Sequence, residues 1–192
     1  MKKELKLMIG VIAIVVLVIA AAVVIVLNMN KEEGKEVANT PKSNLSIQSV
    51  EDLQNLVTSL YTGLEEVLPR SLATIEIDIN NVDQFKSFTG LSTSEGVEYA
   101  VASEPMMSSQ AYSLVLMKIK DGVDANQIAK TMSESIDTRK WICVSAEKLY
   151  ATNSGNIVCL VMSSEEWAKP VYENFKSTAG AIGQEYEKTE AI

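Results

Sequence analysis

Tyr112-Ser113-Leu114-Val115-Leu116-Met117-Lys118-Ile119-Lys120-Asp121-Gly122 is the stretch from which the fold is read. Extended, it sends Leu114, Leu116 and Lys118 to one side and Val115, Met117 and Ile119 to the other. The Lys-Asp-Gly sequence that follows is a tight turn. A second turn, Asn153-Ser154-Gly155-Asn156, joins Ala146–Thr152 to Ile157–Met162 as a hairpin. Tight turns deliver a chain to antiparallel neighbours, whereas parallel ones need a long crossover.

The flanking sequence supplies the other elements. Leu72 to Ile79 alternates, with Ile75, Ile77 and Ile79 opposite Thr74, Glu76 and Asp78, as a strand with one wet face does. Val97 to Ser103 alternates again. Ser49-x-x-Asp52 reads as the N-cap of a helix reaching about Leu68, with an apolar stripe of Leu53, Leu56, Val57, Leu60, Leu64 and Val67, ended by Pro69. Val82 to Phe88 reads as a short helix stopped by Gly90. Ala125 to Ile136 is a third helix, with Ile128, Met132 and Ile136 in line. Ser163-x-x-Glu166 caps a last one that carries Trp167, Val171 and Phe175 around an awkward Pro170. The order is a helix, then β-α-β-β-α-β-β-α. It predicts an α+β domain over residues 47–180, with a mainly antiparallel sheet and helices packed on one face. The polar residues 181–192 are expected to form a flexible tail.

Upstream, Leu7 to Leu27 is a run of twenty-one uncharged, mostly aliphatic residues. At about 1.5 Å per residue it matches a hydrocarbon core of about 30 Å. Lys2, Lys3 and Lys6 precede it, and the bias of positive residues places the N-terminus in the cytoplasm. The expected layout is a cytoplasmic tail at 1–6, a single transmembrane helix at 7–28, a polar stalk at 29–46 and a domain outside the cell membrane. Ala20-Ala21-Ala22 offers a signal-peptidase site. Cleavage there would leave Val23 to Leu27 as an apolar terminus in water, so an uncleaved anchor is expected. The run holds neither an intramembrane charge nor a G-x-x-x-G pair. The missing pilin-type glutamate argues against a filament subunit.

Composition excludes much. The chain has 192 residues, a net charge of −8 and no histidine. Without Lys2, Lys3, Lys6 and Glu4 the remainder stands at −10, which repels nucleic acid and anionic lipid. The absence of histidine removes the commonest general base and metal ligand, and with them Ser-His-Asp and Cys-His mechanisms. Cys143 and Cys159 sit in apolar contexts. On a Ser154-Gly155 turn Cys159 falls opposite Tyr150, with Cys143 beyond the ladder. Two buried, unreactive thiols are expected in preference to a disulfide.

From about Ser49 onward the chain resembles a family of small exported proteins labelled domain of unknown function 4358. The resemblance rests on pieces in order: Tyr99-Ala100-Val101 leading into Pro105-Met106-Met107, the strand Tyr112 to Lys120, Asp121-Gly122, the helix around Ile128, the hairpin Ala151 to Val158 and a last helix carrying Phe175. It implies a membrane-attached protein outside the cytoplasm. Many members are lipidated on a cysteine, and here no cysteine stands at the end of the apolar run. The family implies no catalytic or ligand residue.

Three groups of residues carry candidate chemistry. Glu76 and Asp78 lie on one strand face about 7 Å apart, a spacing a glycosidase or a divalent cation could use. The bland reading is an ordinary exposed face. Met106-Met107 is a soft apolar surface, a copper-binding thioether pair or plain packing. Trp141 and Trp167 are a sugar platform or core. A lysine-assisted serine nucleophile has no S-x-x-K to point at it. No catalytic, cofactor-binding or metal residue is assigned. The expected protein is a non-enzymatic binding module of the cell envelope, held to the membrane through residues 7–28 and contacting an envelope protein or ligand, not nucleic acid. An envelope-polymer hydrolase using surface carboxylates is the alternative.

Overall fold

The computed structural model describes residues 41–190 except Ser108, and the apolar segment 7–28 lies outside them. No helix among the described residues is long and apolar enough to cross a membrane. The elements follow the order α1 (Val50–Leu60), β1 (Leu72–Glu76), α2 (Val82–Thr89), β2 (Val97–Pro105), β3 (Ser113–Ile119), α3 (Ala125–Ser135), β4 (Lys148–Ser154), β5 (Ile157–Ser163), α4 (Glu165–Ala179) and β6 (Tyr186–Thr189). All six strands form one antiparallel sheet in the order β1-β2-β3-β5-β4-β6.

Local chemistry accounts for the helix ends. Ser49 accepts the Asp52 N–H and caps α1, Asn81 caps α2 through Gln84 N, and Asp124 caps α3 through Gln127 N. Gly90 ends α2 in the left-handed region, at φ 75°, and a Cβ there would stand 2.5 Å from the Ile136 nitrogen. Glycine is therefore required twice, by conformation and by close approach. Helix α1 is shorter than its apolar stripe suggests. It stops at Leu60, and Tyr61 to Leu68 continues as turns through Gly63 at φ 80°. The last helix begins at Glu165 and runs through Pro170 with Ser164 as its cap residue, while Ser163 is the end of β5 and donates its hydroxyl to Ala111 O at 2.6 Å.

The helices lie on both faces of the sheet, not on one as the sequence reading expects. Helices α1 and α4 pack with Val101, Leu114, Leu116, Cys159 and Val161 in one core. The other core joins Phe85 of α2 and Met132 of α3 to Val115, Met117, Val158 and Leu160. Topology supplies the reason. Strands β3 and β4 run parallel with β5 between them and are joined through α3; β5 and β6 run parallel with β4 between them and are joined through α4. Both crossovers step the same way across the sheet, from strands of opposite direction. Crossovers of one hand then put their helices on opposite faces. The central strands β3 and β5 are accordingly buried on both sides, as all of β5 and all of β3 but Lys118 are.

Two further segments differ from expectation. Residues 186–189 are the edge strand β6, paired with β4 from Lys148↔Thr189 to Ala151↔Tyr186, rather than flexible tail. Backbone pairing and Gly183 N–H bonded to Asn153 O hold a stretch that composition marks as loose. At the other terminus Ser43 bridges Gly180, Asn44 N–H reaches Ala179 O at 3.0 Å, and Ile47 is buried, so the end of the supposed stalk is docked on the domain. The hairpin turn is Gly155-Asn156, since Ser154 pairs with Ile157, and Cys159 therefore opposes Thr152, not Tyr150. Both thiols are unbonded. Cys159 is buried, but Cys143 is exposed in a loop at φ 63°, against the expectation of two buried thiols.

Candidate functional site

The sheet has two ends. The chain enters at Pro41 to Ser43 beside Gly155, at the end that carries the Gly155-Asn156 turn and Asp121. The opposite end is formed by the last residues of β2, the first of β3 and the loop between α3 and β4. A charged cluster is partly buried there. Glu104 of β2 accepts the Ser113 hydroxyl at 2.6 Å and the Lys140 ammonium, which also lies 3.4 Å from Ser113 Oγ. The Lys140 and Glu104 side chains keep only 16% and 23% of their exposure. Lys140 Nζ lies over the rings of Phe88, at 5.0 Å, and Trp141, at 5.3 Å. Burial pulls the Lys140 amine below its usual value, and the Glu104 charge opposes that shift.

This is a lysine beside a serine, and its geometry argues against nucleophilic use. Lysine activates serine by accepting its proton as a neutral amine. Here Ser113 gives its proton to Glu104, the same carboxylate that holds Lys140 as a cation, and Ser113 is fully buried. The cluster is a clasp. It fastens the 137–146 loop, whose base is closed by Ala146 N–H to Thr138 O at 2.8 Å, onto the end of β2 and β3. Exposed apolar side chains follow the clasp residues in the chain: Met106 at 78% and Met107 at 68% just after β2, and Ile142 at 69% exposure on the 137–146 loop. Core or loop packing is the preferred expectation for Met106-Met107, and the structure corrects it. The structure leaves both side chains out in solvent.

A second polar group joins α4 to the β4–β6 edge. Tyr150 stacks on Tyr172 with centroids 5.0 Å apart, and the Tyr172 hydroxyl donates to Glu185 at 2.9 Å. Lys176 bridges Glu173 at 3.4 Å and Glu185 at 3.0 Å, while Lys148 pairs with Glu187 at 2.7 Å. The bond from Lys176 holds Glu185 below the usual carboxylate range, and burial raises the Tyr172 phenol. A groove of about 180 Å³ runs here between Tyr150, Lys169, Tyr172 and Tyr186. Its carboxylates already have partners, so it is a joint between elements. A wider groove of about 330 Å³, lined by Gln48, Glu98, Tyr99, Lys118, Lys120 and Asp121, lies at the end where the chain enters.

The residues singled out in the sequence are scattered. Glu76 and Asp78 are both exposed and line neither groove; Asp78 accepts the Asn80 N–H at 2.9 Å as an ordinary turn residue does. Among the described residues no group of three or more Cys, Asp or Glu side chains could hold a metal ion. Trp141 and Trp167 are half-buried against the two cores. The clasp went unread because its partners are 36 residues apart and nothing local marks them. No family model, no curated protein and no solved structure matches the chain.

Proposed function

We propose that the chain is a membrane-tethered, extracytoplasmic binding module without catalytic activity, which contacts an envelope protein through the loops around Met106-Met107 and Ile142. The observation that carries this reading is the exposure of large apolar side chains beside a clasped loop. Three large apolar side chains stand in solvent, two just after β2 and one on the 137–146 loop, and the part-buried Lys140–Glu104 pair fastens that loop to the end of β2. Exposed apolar side chains on a fixed frame are the usual mark of a contact surface. Unbranched methionines suit a surface that adapts to its partner. These residues lie at the far end of the sheet from Pro41 to Ser43. The apolar run 7–28 and the resemblance to the domain 4358 family support the tether and the location.

The test uses the full-length protein in intact cells. A photoreactive residue at Met107 or Ile142 is expected to give a discrete adduct with a second protein, and the same probe at exposed Glu95 is not. Absence of adducts from both loops, or equal labelling from Glu95, would overturn the contact surface. A domain that resists protease added outside intact cells would overturn the location.

A further inference from the structure

The two edges of the sheet differ in what they offer a neighbour. β6 is charged along its length, with Glu187 and Lys188 next to each other, which discourages pairing. β1 is not guarded in that way. Its bonds to β2 fall at odd-numbered residues, as Met106 N–H to Ser71 O and Ile77 N–H to Ala100 O show. The N–H and C=O groups of Leu72, Thr74 and Glu76 therefore point outward. No hydrogen bond among the described residues uses them. Ile75, on the same strand, is 41% exposed.

We infer that β1 is the interface between two copies of this chain, paired antiparallel about a two-fold axis at Thr74. That register is self-complementary. Thr74 opposes Thr74 of the second copy, Leu72 opposes Glu76, and Ala73 opposes Ile75, so no like charges meet and Ile75 gains a cover. The outward groups of Leu72, Thr74 and Glu76 then bond to one another, extending each six-stranded sheet across the axis. Just beyond the paired residues the same register brings Arg70 of one copy towards Asp78 of the other, twice. Both residues are exposed, and the arginine's length spans the bend at Ser71, where φ is 61°. Charge complementarity at both ends favours this register and a second copy as the occupant. An unrelated peptide would have no reason to match it. The edge is five residues long, so the contact is weak in dilute solution and gains from confinement on one membrane.

Full-length protein carrying Cys143→Ser, with Cys159 left in the core, is the background for the test. Across a bonded antiparallel pair the Cα atoms are about 5.5 Å apart, within disulfide reach. Thr74→Cys is therefore expected to give a covalent dimer on oxidation. Glu76→Cys would sit about 14 Å from its own copy and is expected to stay monomeric. Adding Asp78→Arg to Thr74→Cys should lower the dimer yield about fivefold, and Arg70→Asp on top of it should restore the yield. These charges are exposed, and recovery by the swap separates lost pairing from lost folding. A Thr74→Cys protein that stays monomeric, a Glu76→Cys protein that crosslinks equally, or a yield unmoved by Asp78→Arg would each overturn the interface.

Discussion

Lys140–Glu104 and Lys176–Glu185 are the same pair of residue types in two settings. The first is enclosed by Phe88, Trp141 and Ser113; the second lies along the surface of α4, with Lys176 29% and Glu185 49% exposed. A lysine–glutamate contact therefore has no fixed worth. In water the pair contributes little, because each charge is nearly as well solvated alone. Once buried, each charge depends on the other, and removal of one leaves its partner stranded. The first pair therefore decides whether the 137–146 loop has one position. The second pair only trims the seat of a helix.

That contrast can be broken by substitution. Lys140→Met keeps an apolar stem between the two rings and leaves Glu104 without its cation; it is expected to lower the unfolding free energy by about 2 kcal/mol in chemical denaturation, between the exposed and the fully buried limits. The double variant Lys140→Met with Glu104→Gln should recover most of that loss, since no lone charge remains. A single-variant loss below about 1 kcal/mol would show that the clasp is solvated after all.

Next in size is Tyr172→Phe, which deletes one hydrogen bond to the half-exposed Glu185 and should cost about 1 kcal/mol by the same measurement. Lys176→Met, the counterpart of the first substitution, is expected to cost less than about 1 kcal/mol. A larger loss there would erase the distinction between the two pairs.

The smallest effect concerns acid. Glu185 titrates below its ordinary value of 4.5 because Lys176 and Tyr172 bond to its charged form. A depressed folded value means stability that is present above the unfolded value and lost as pH falls through the folded one. Glu185→Gln should lower the thermal midpoint slightly near neutrality and converge with the parent protein as pH falls below about 4.5, so the acid-side fall is flatter. At the alkaline end burial pushes the Tyr61 phenol up to about 12, so its contribution is complete below pH 10 and is lost as pH rises towards that value. Tyr61→Phe should remove that part of the alkaline transition, read as the midpoint between pH 9 and 12.

Element types and order were legible because each carries its signal within a few residues. Ser49 with Asp52, Gly90 after a short amphipathic run, and the two-sided apolar pattern of Leu114 to Ile119 all act locally. Even the burial of β3 on both faces was written in its residues, though the expectation of helices on one face set it aside. The hairpin register slipped by two because Ser154-Gly155 and Gly155-Asn156 are both acceptable turns, and the ladder chooses between them. The clasp was not legible. Glu104 ends a strand and Lys140 follows a helix, and in a linear reading each is one more surface charge.

Which segments are strands and which are helices can be read along the chain, because periodicity and capping are properties of neighbouring residues. The sequence by itself also determined the acidic, histidine-free chemistry and the presence of a twenty-one-residue apolar run. Only the tertiary structure decided which face each helix covers, that residues 186–189 close the sheet, and that Lys140 meets Glu104. Those outcomes depend on the hand of crossovers and on contacts between distant residues, whose free energy exists only when the whole chain is packed.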